Sequence, residues 1–257
     1  MTLHRLTFGF LFTYAVLACY GMLLAVLKSP QPFPLTPVTT LLAFCFSVLH
    51  AVQREGLRRA ILLVVLVFLT GLVFECIGVA TGLVFGPYHY SDQLGPKFLG
   101  LVPFLIPLAW TMMMYPSLVI ADSMVSKKYA RVTRWVAVAA LGGVVMTAWD
   151  VAMDPMMVLG GNWVWKVEGA FFGVPLQNYW GWWLTTFIAL GLYQVGAHWL
   201  VDDHPRGISN QWAVWSYLVT AVSTVLVDLA LGLEGPALAG LFAVLPWIVI
   251  GFVREVK

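Results

Sequence analysis

Apolar residues run along the chain in long blocks separated by short polar segments, with almost no period-two alternation. Eight blocks stand out, at approximately 8–27, 36–53, 60–82, 98–122, 133–153, 179–201, 211–231 and 236–253. A run of about 18 or more apolar residues is long enough, as a helix, to cross a hydrocarbon core of about 30 Å. In lipid every backbone polar group needs an internal partner, and a helix provides one. The pattern therefore predicts an all-α fold: a polytopic membrane helix bundle of about eight transmembrane helices, in a single domain over 1–257. The blocks at 36–53 and 236–253 are the shortest. Arg5 precedes the first block as it would in a signal sequence, but LKSPQPFP after it is a poor cleavage site. That block reads as a retained first span.

Composition agrees with the pattern. Of 257 residues, 61% are hydrophobic and 10% charged, whereas soluble domains carry about 25% charged residues. A net charge of +2 makes no case for nucleic acid. Cys19, Cys45 and Cys76 lie in separate blocks and read as buried apolar thiols, not as a disulfide or metal framework. Basic residues set orientation. With the N-terminus inside, the inner segments hold 11 of them: Arg5, Arg54, Arg58, Arg59, Lys127, Lys128, Arg131, Arg134, Arg206, Arg254 and Lys257. The outer segments hold 3, namely Lys28, Lys97 and Lys166. This asymmetry predicts a multi-pass protein of the cell (inner) membrane with both termini cytoplasmic.

Acidic residues inside such blocks are costly, at about 2.5–3.5 kcal/mol each near the bilayer centre, and normally mark function. In GLVFECIGVATG, the residues Gly71, Glu75, Gly78 and Gly82 share one helix face, and small residues there permit close packing. TAWDVAMDP places Asp150 and Asp154 one turn apart near the outer end of the fifth span. Asp228 ends a stripe with Tyr217, Thr220 and Thr224 in the seventh. Asn178 and Tyr179 open the sixth span, and His89 lies in the loop above. All are expected in one outer layer.

Plainer readings stand beside these. Asp154 precedes Pro155, and an Asp-Pro pair commonly ends a helix. Asp228 lies close enough to the headgroups to be hydrated, and His89 fits a loop residue bonded to backbone. The outer loops 83–98 and 154–178 are rich in Trp and Tyr, which suit either an interfacial belt or the walls of an apolar pocket. His50, Gln53, Asp122, Gln194 and His198 fall in the inner half and read as helix–helix contacts, with Gln194 and His198 spaced to bond each other.

An Asp-x-x-x-Asp pair also suits magnesium and a diphosphate, but that chemistry needs more acids and more basic residues than Lys97 and Lys166. No nucleophile–base pair, nucleotide loop or haem motif is present. GPYHYSDQLGPKFLGLVPFLIPLAWTMMMYPS, TAWDVAMDPMM and WVWKVEGAFFGVPLQNYWGWWL resemble blocks of an integral-membrane carotenoid-biosynthesis family. Its members include the carotenoid 1′,2′-hydratases that make bacterioruberin-type and related pigments. The resemblance covers about residues 70–200. It implies a hydro-lyase without cofactor or metal, adding water to the terminal double bond of a long acyclic carotenoid within the lipid bilayer.

The residues suit that chemistry. Protonating a trisubstituted alkene requires an acid, and a carboxylic acid in an apolar site keeps its proton at neutral pH. A second carboxylate orients water, and aromatic faces stabilise the tertiary cation by about 0.5–2 kcal/mol each. The expected catalytic residues are Asp150 as acid, with Glu75 or Asp154 orienting water and Asp150 and Glu75 interchangeable. Trp149, Tyr88, His89, Tyr90, Asn178, Tyr179, Trp180 and Asp228 are expected around the substrate. The rival readings are a carotenoid cyclase or isomerase, a transporter, and a non-catalytic pigment-binding protein.

The charge asymmetry yields a direct test. Reporter fusions at Lys127 should be cytoplasmic, and fusions at His89 and Trp163 should lie on the other side. A cytoplasmic signal at His89 would invert the orientation.

Overall fold

The computed structural model describes residues 2–32, 34–200 and 207–255. Arg206 and Lys257, counted above among the basic residues, and Val201 at the end of the sixth block lie outside the described residues. Eight helices follow one another: α1 (Thr2–Val26), α2 (Leu35–Glu55), α3 (Leu57–Thr81), α4 (Leu105–Met124), α5 (Arg131–Leu159), α6 (Leu176–His198), α7 (Gln211–Ala230) and α8 (Glu234–Glu255). Among the described residues, seven helices are long and apolar enough to cross a membrane, and the chain is a multi-pass membrane protein. The eighth, α6, has full length at 23 residues, but Gln177, Asn178 and Thr185 dilute its apolar character. It lies between α3 and α5. The blocks expected to be shortest form helices of 21 and 22 residues, because polar ends such as Arg54 and Glu55 extend the helices beyond the apolar runs.

Alternating helix directions give the bundle two unlike ends. At one end, α2 turns into α3 through Gly56 alone, whose φ of 88° and ψ of 160° are open only to glycine. This end carries most of the basic residues among those described. Arg54 bonds Asp122 at 2.7 Å and Asn210 at 2.7 Å, and Arg134 reaches the other Asp122 oxygen at 2.5 Å. The network thus joins α2, α4, α5 and the residue preceding α7. His50 bonds the Tyr115 hydroxyl at 2.6 Å and the Ser209 carbonyl at 3.1 Å, and Gln53 donates to Thr7 at 2.6 Å. These inner polar residues are helix–helix contacts, as expected. The expected Gln194–His198 pair is not formed: His198 turns to Arg131, at 2.8 Å, and lies tilted against the Trp135 ring.

The opposite end is covered by the two long connections, 82–104 and 160–175. Their strands β1 (Tyr88–Tyr90) and β4 (Trp163–Trp165) pair antiparallel, with Tyr88 opposite Trp165 and Tyr90 opposite Trp163. A second small hairpin, β2 (Lys97–Phe98) with β3 (Val102–Pro103), delays α4 to Leu105 where the apolar run predicted about 98. Two further expectations need correction. The helix does not end at Asp154, since α5 continues through Pro155 to Leu159; the ring deprives the Val151 carbonyl of its helical partner without stopping the helix. Cys19 is exposed on α1, and only Cys45 and Cys76 are half-buried.

The Asp122 network should matter for stability. Asp122→Ala removes the carboxylate that Arg54 and Arg134 share, while Arg54 keeps Asn210 and Glu55, so the change should cost about 1–3 kcal/mol, below the range for fully buried pairs. Unfolding in detergent should show a clear drop in midpoint; an unchanged midpoint would show the network to be incidental.

Candidate active site

The acids converge beneath the paired loops. Glu75, on α3, is 4% exposed and accepts from three neutral donors. Tyr88 and Tyr90 donate to its Oε2, the latter at 2.8 Å, and the Trp110 indole donates to Oε1 at 3.0 Å. Glycines make the room. A Cβ on Gly71 would lie 3.1 Å from the Trp110 ring, and one on Gly78 would lie 2.6 Å from the Phe85 ring. Gly82 instead caps α3 in the left-handed conformation at φ 72°. Burial first, and then the charge of Glu75, pushes the Tyr88 and Tyr90 phenols well up, so both keep the protons they donate.

Asp150 and Asp154 share one amide. The Asn178 side chain donates to Asp150 Oδ2 at 2.8 Å and to Asp154 Oδ2 at 2.6 Å. The second oxygen of Asp154 accepts from the Trp163 indole at 2.9 Å, while Asp150 Oδ1 is buried without a partner. An edge-to-face contact of 5.7 Å between Tyr90 and Trp163 links the partners of Glu75 and Asp154. The cap thus holds both acids through one strand pair.

A cavity of about 810 Å³ lies against this cluster, with Glu75, Asp154 and Asn178 on its wall. Trp110, Trp149, Trp163, Trp165, Trp182, Tyr88 and Tyr90 supply most of the aromatic surface around them. Trp110 and Trp182 stack at 4.2 Å, and Trp149 meets Trp182 edge-on at 5.9 Å. An aromatic-lined hole with two acids and an amide suits an apolar molecule on which positive charge develops. Among the described residues no group of three or more His, Cys, Asp or Glu is placed to hold a metal ion.

A profile of the family described as "Carotenoid biosynthesis protein" matches residues 35–246. The chain belongs to that family. Bisanhydrobacterioruberin hydratase of Haloarcula japonica is 33% identical over 139 residues, 54% of this chain and 46% of that protein. The match spans about half the length of that curated relative. No solved structure matches the chain.

In this carotenoid biosynthesis protein, Glu75, Asp154, Trp149, Tyr88, Tyr90 and Asn178 meet at the cavity as expected. Trp149 is held there by its bond to Thr224 at 3.1 Å. Other residues do not reach it. Asp150 is fully buried behind the wall that Asn178 and Asp154 form, so direct contact with substrate is not its place. His89 points out to solvent, because successive strand residues alternate and Tyr88 and Tyr90 take the inner face. Trp180 is 58% exposed and stacks on Trp183 at 4.8 Å, away from the cavity. Tyr179 packs edge-on against Phe171. Asp228 is buried, not hydrated, and neither carboxyl oxygen has a partner; it lies off the cavity wall although Thr224 and Val227 are on it. The tryptophans therefore divide: Trp149, Trp163, Trp165 and Trp182 build the pocket, Trp180 faces outward, and Trp183 packs on α5, donating to the Ala140 carbonyl at 3.1 Å. Trp110 was not among the expected residues. The signal for it was Gly71, one turn from Glu75, where a bulky neighbour needs the space.

Replacing Glu75 separates its hydrogen-bonding role from its size. Glu75→Leu leaves two phenols and an indole unpaired, at about 1–3 kcal/mol per buried donor. Glu75→Gln keeps an acceptor and should lose less. Thermal unfolding in detergent should rank parent, Gln, Leu in falling order, and equal midpoints for Gln and Leu would refute the donor count.

Proposed function

We propose that this protein adds water to the terminal double bond of an acyclic carotenoid end group, as a cofactor-independent hydratase. The observation that carries the reading is the placement of two differently bonded acids, Glu75 and Asp154, on the wall of one aromatic cavity. Family membership and the name of the Haloarcula relative support the substrate class.

The bonding pattern suggests the roles. Glu75 accepts from three donors, against two on Asp154 and one on Asp150, so the ionised form is assigned to Glu75. Asp150 and Asp154 stand on one amide in an apolar interior, where two like charges are not sustained together; the pair therefore holds one proton. Asp154, the member on the cavity wall, delivers it to the less substituted alkene carbon. The π electrons form the new C–H bond and leave a tertiary cation on the other carbon. Glu75 and the faces of Trp110, Trp149 and Trp182 stabilise that cation. Water, oriented by Glu75, adds to the cation, and its released proton returns to the Asp154–Asp150 pair. Alkene and water become a tertiary alcohol, and the acid is restored. Asp150 acts through Asp154, as the second site for the shared proton.

Expression in a host that makes an acyclic carotenoid, followed by pigment mass analysis, tests this. The parent should give products heavier by one water per reacted end. Asp154→Asn, which loses the acid and keeps the shape, should lower yield by about 10²–10⁴-fold while accumulating normally. Asp150→Asn should lose less, because the proton donor survives. A product of unchanged mass would point to cyclisation or isomerisation, and near-parental yield from Asp154→Asn would remove Asp154 as the acid.

A further inference from the structure

The cavity extends beyond the acids to α1, which lies outside the region matched by the family profile. Near the basic end, α1 is fastened to the bundle. Gln53 bonds Thr7 at 2.6 Å, Phe8 meets Trp212 edge-on at 5.4 Å, and the Tyr14 and Thr220 hydroxyls share a bond of 2.6 Å. Past Tyr14 the same helix face leaves its packing and lines the cavity, through Leu17, Ala18, Gly21, Met22 and Ala25. From Tyr14 to Ala25 the helix rises about 16 Å, which measures the cavity's depth along this wall.

That depth does not accommodate a whole carotenoid. On the reading proposed above, the substrate is about as long as the hydrocarbon core, about 30 Å, so roughly half of it lies outside the cavity. On the side between α1 and α2 the cap-end rim carries Lys28, Ser29 and Gln31, and a polyene leaving there would meet polar groups and water. Toward α2 the wall is closed, because a Cβ on Gly21 would lie 2.8 Å from the Leu35 side chain. Toward α7 the facing residues are smaller: Ala18 on one side and Ser223 on the other both line the cavity. We infer that the polyene leaves the site sideways into lipid between the cap-end halves of α1 and α7, and that Ala18 and Ser223 set the width of this seam. The helix outside the family match thereby governs which chains follow the reacting end group.

The test places bulk in the seam from each wall, with Ala18→Phe and Ser223→Phe as separate variants. Leu23→Phe, on the outward face of α1 where Leu23 is 52% exposed, is the control. Two quantities are measured on protein purified from membranes: the pigment retained per chain, and the ratio of turnover on a full-length acyclic carotenoid to turnover on a ten-carbon acyclic isoprenoid with the same terminal alkene. Both seam variants should lower retention and the ratio by about tenfold or more, a usual magnitude for steric exclusion, and Leu23→Phe should leave both unchanged. Ala18→Leu should fall between parent and Ala18→Phe, which separates graded narrowing from misfolding. A ratio that stays constant in both seam variants overturns the inference, whether both turnovers are kept or both are lost. If the parent retains pigment in a seam-dependent way yet hydrates nothing, the seam stands and the hydratase reading falls. If the parent retains no carotenoid, both fall.

Discussion

A carboxyl group buried in a membrane bundle needs hydrogen-bond donors, and three of this protein's acids dictate much of the structure around them. Lipid offers none, and an unpaired buried charge costs several kcal/mol. Glu75 takes its donors from α4 and the first cap strand, Asp154 from the second cap strand and α6, and Asp150 from α6. The β1–β4 pairing is only three residues long, too short for independent stability. It persists because its inward side chains are pinned to acids on α3 and α5. The cap and the acid cluster therefore stabilise each other.

This mutual dependence shapes the chemistry. Tyr and Trp donate hydrogen bonds without bringing positive charge, and their ring faces remain available to the cavity. A lysine or arginine would also have satisfied the acids, but in the hydration proposed above it would repel the cationic intermediate. The half-buried ion pairs of Arg54 and Arg134 with Asp122 sit at the other end of the bundle, and the cap's Lys97–Asp92 pair lies at its surface, away from the acids. The buried acids thus meet the same electrostatic problem in two ways: ion pairs around Asp122 at one end, neutral donors around Glu75, Asp150 and Asp154 at the other.

The helix number and the cluster at Glu75, Asp154 and Asn178 were legible in the sequence, because apolar length and acids within apolar runs are strong signals. Their partners were less so. Trp110 and Trp163 look like ordinary membrane aromatics until the Tyr90–Trp163 register is known, and register across two separate loops leaves no local trace. His89 shows the same limit: within Tyr88–His89–Tyr90, only knowledge that the segment is a strand says which side is inward. Pro155 misled for another reason. A proline weakens the helix at its own step, but α5 is held on both sides by α6 and α8, and packing outweighs the local preference.

Asp150 and Asp228 form the remaining contrast. Both are fully buried, and both lie within one turn of cavity-lining residues. Asp150 has the Asn178 amide on one oxygen, and Asp154 one turn away accepts from the same amide. Asp228 has neither, and nothing in its surroundings couples it to the other acids. Burial and helix spacing alone do not distinguish the two, yet only one belongs to the acid cluster. What makes a buried acid part of a site is a shared partner, and here that partner is a single asparagine at the start of α6.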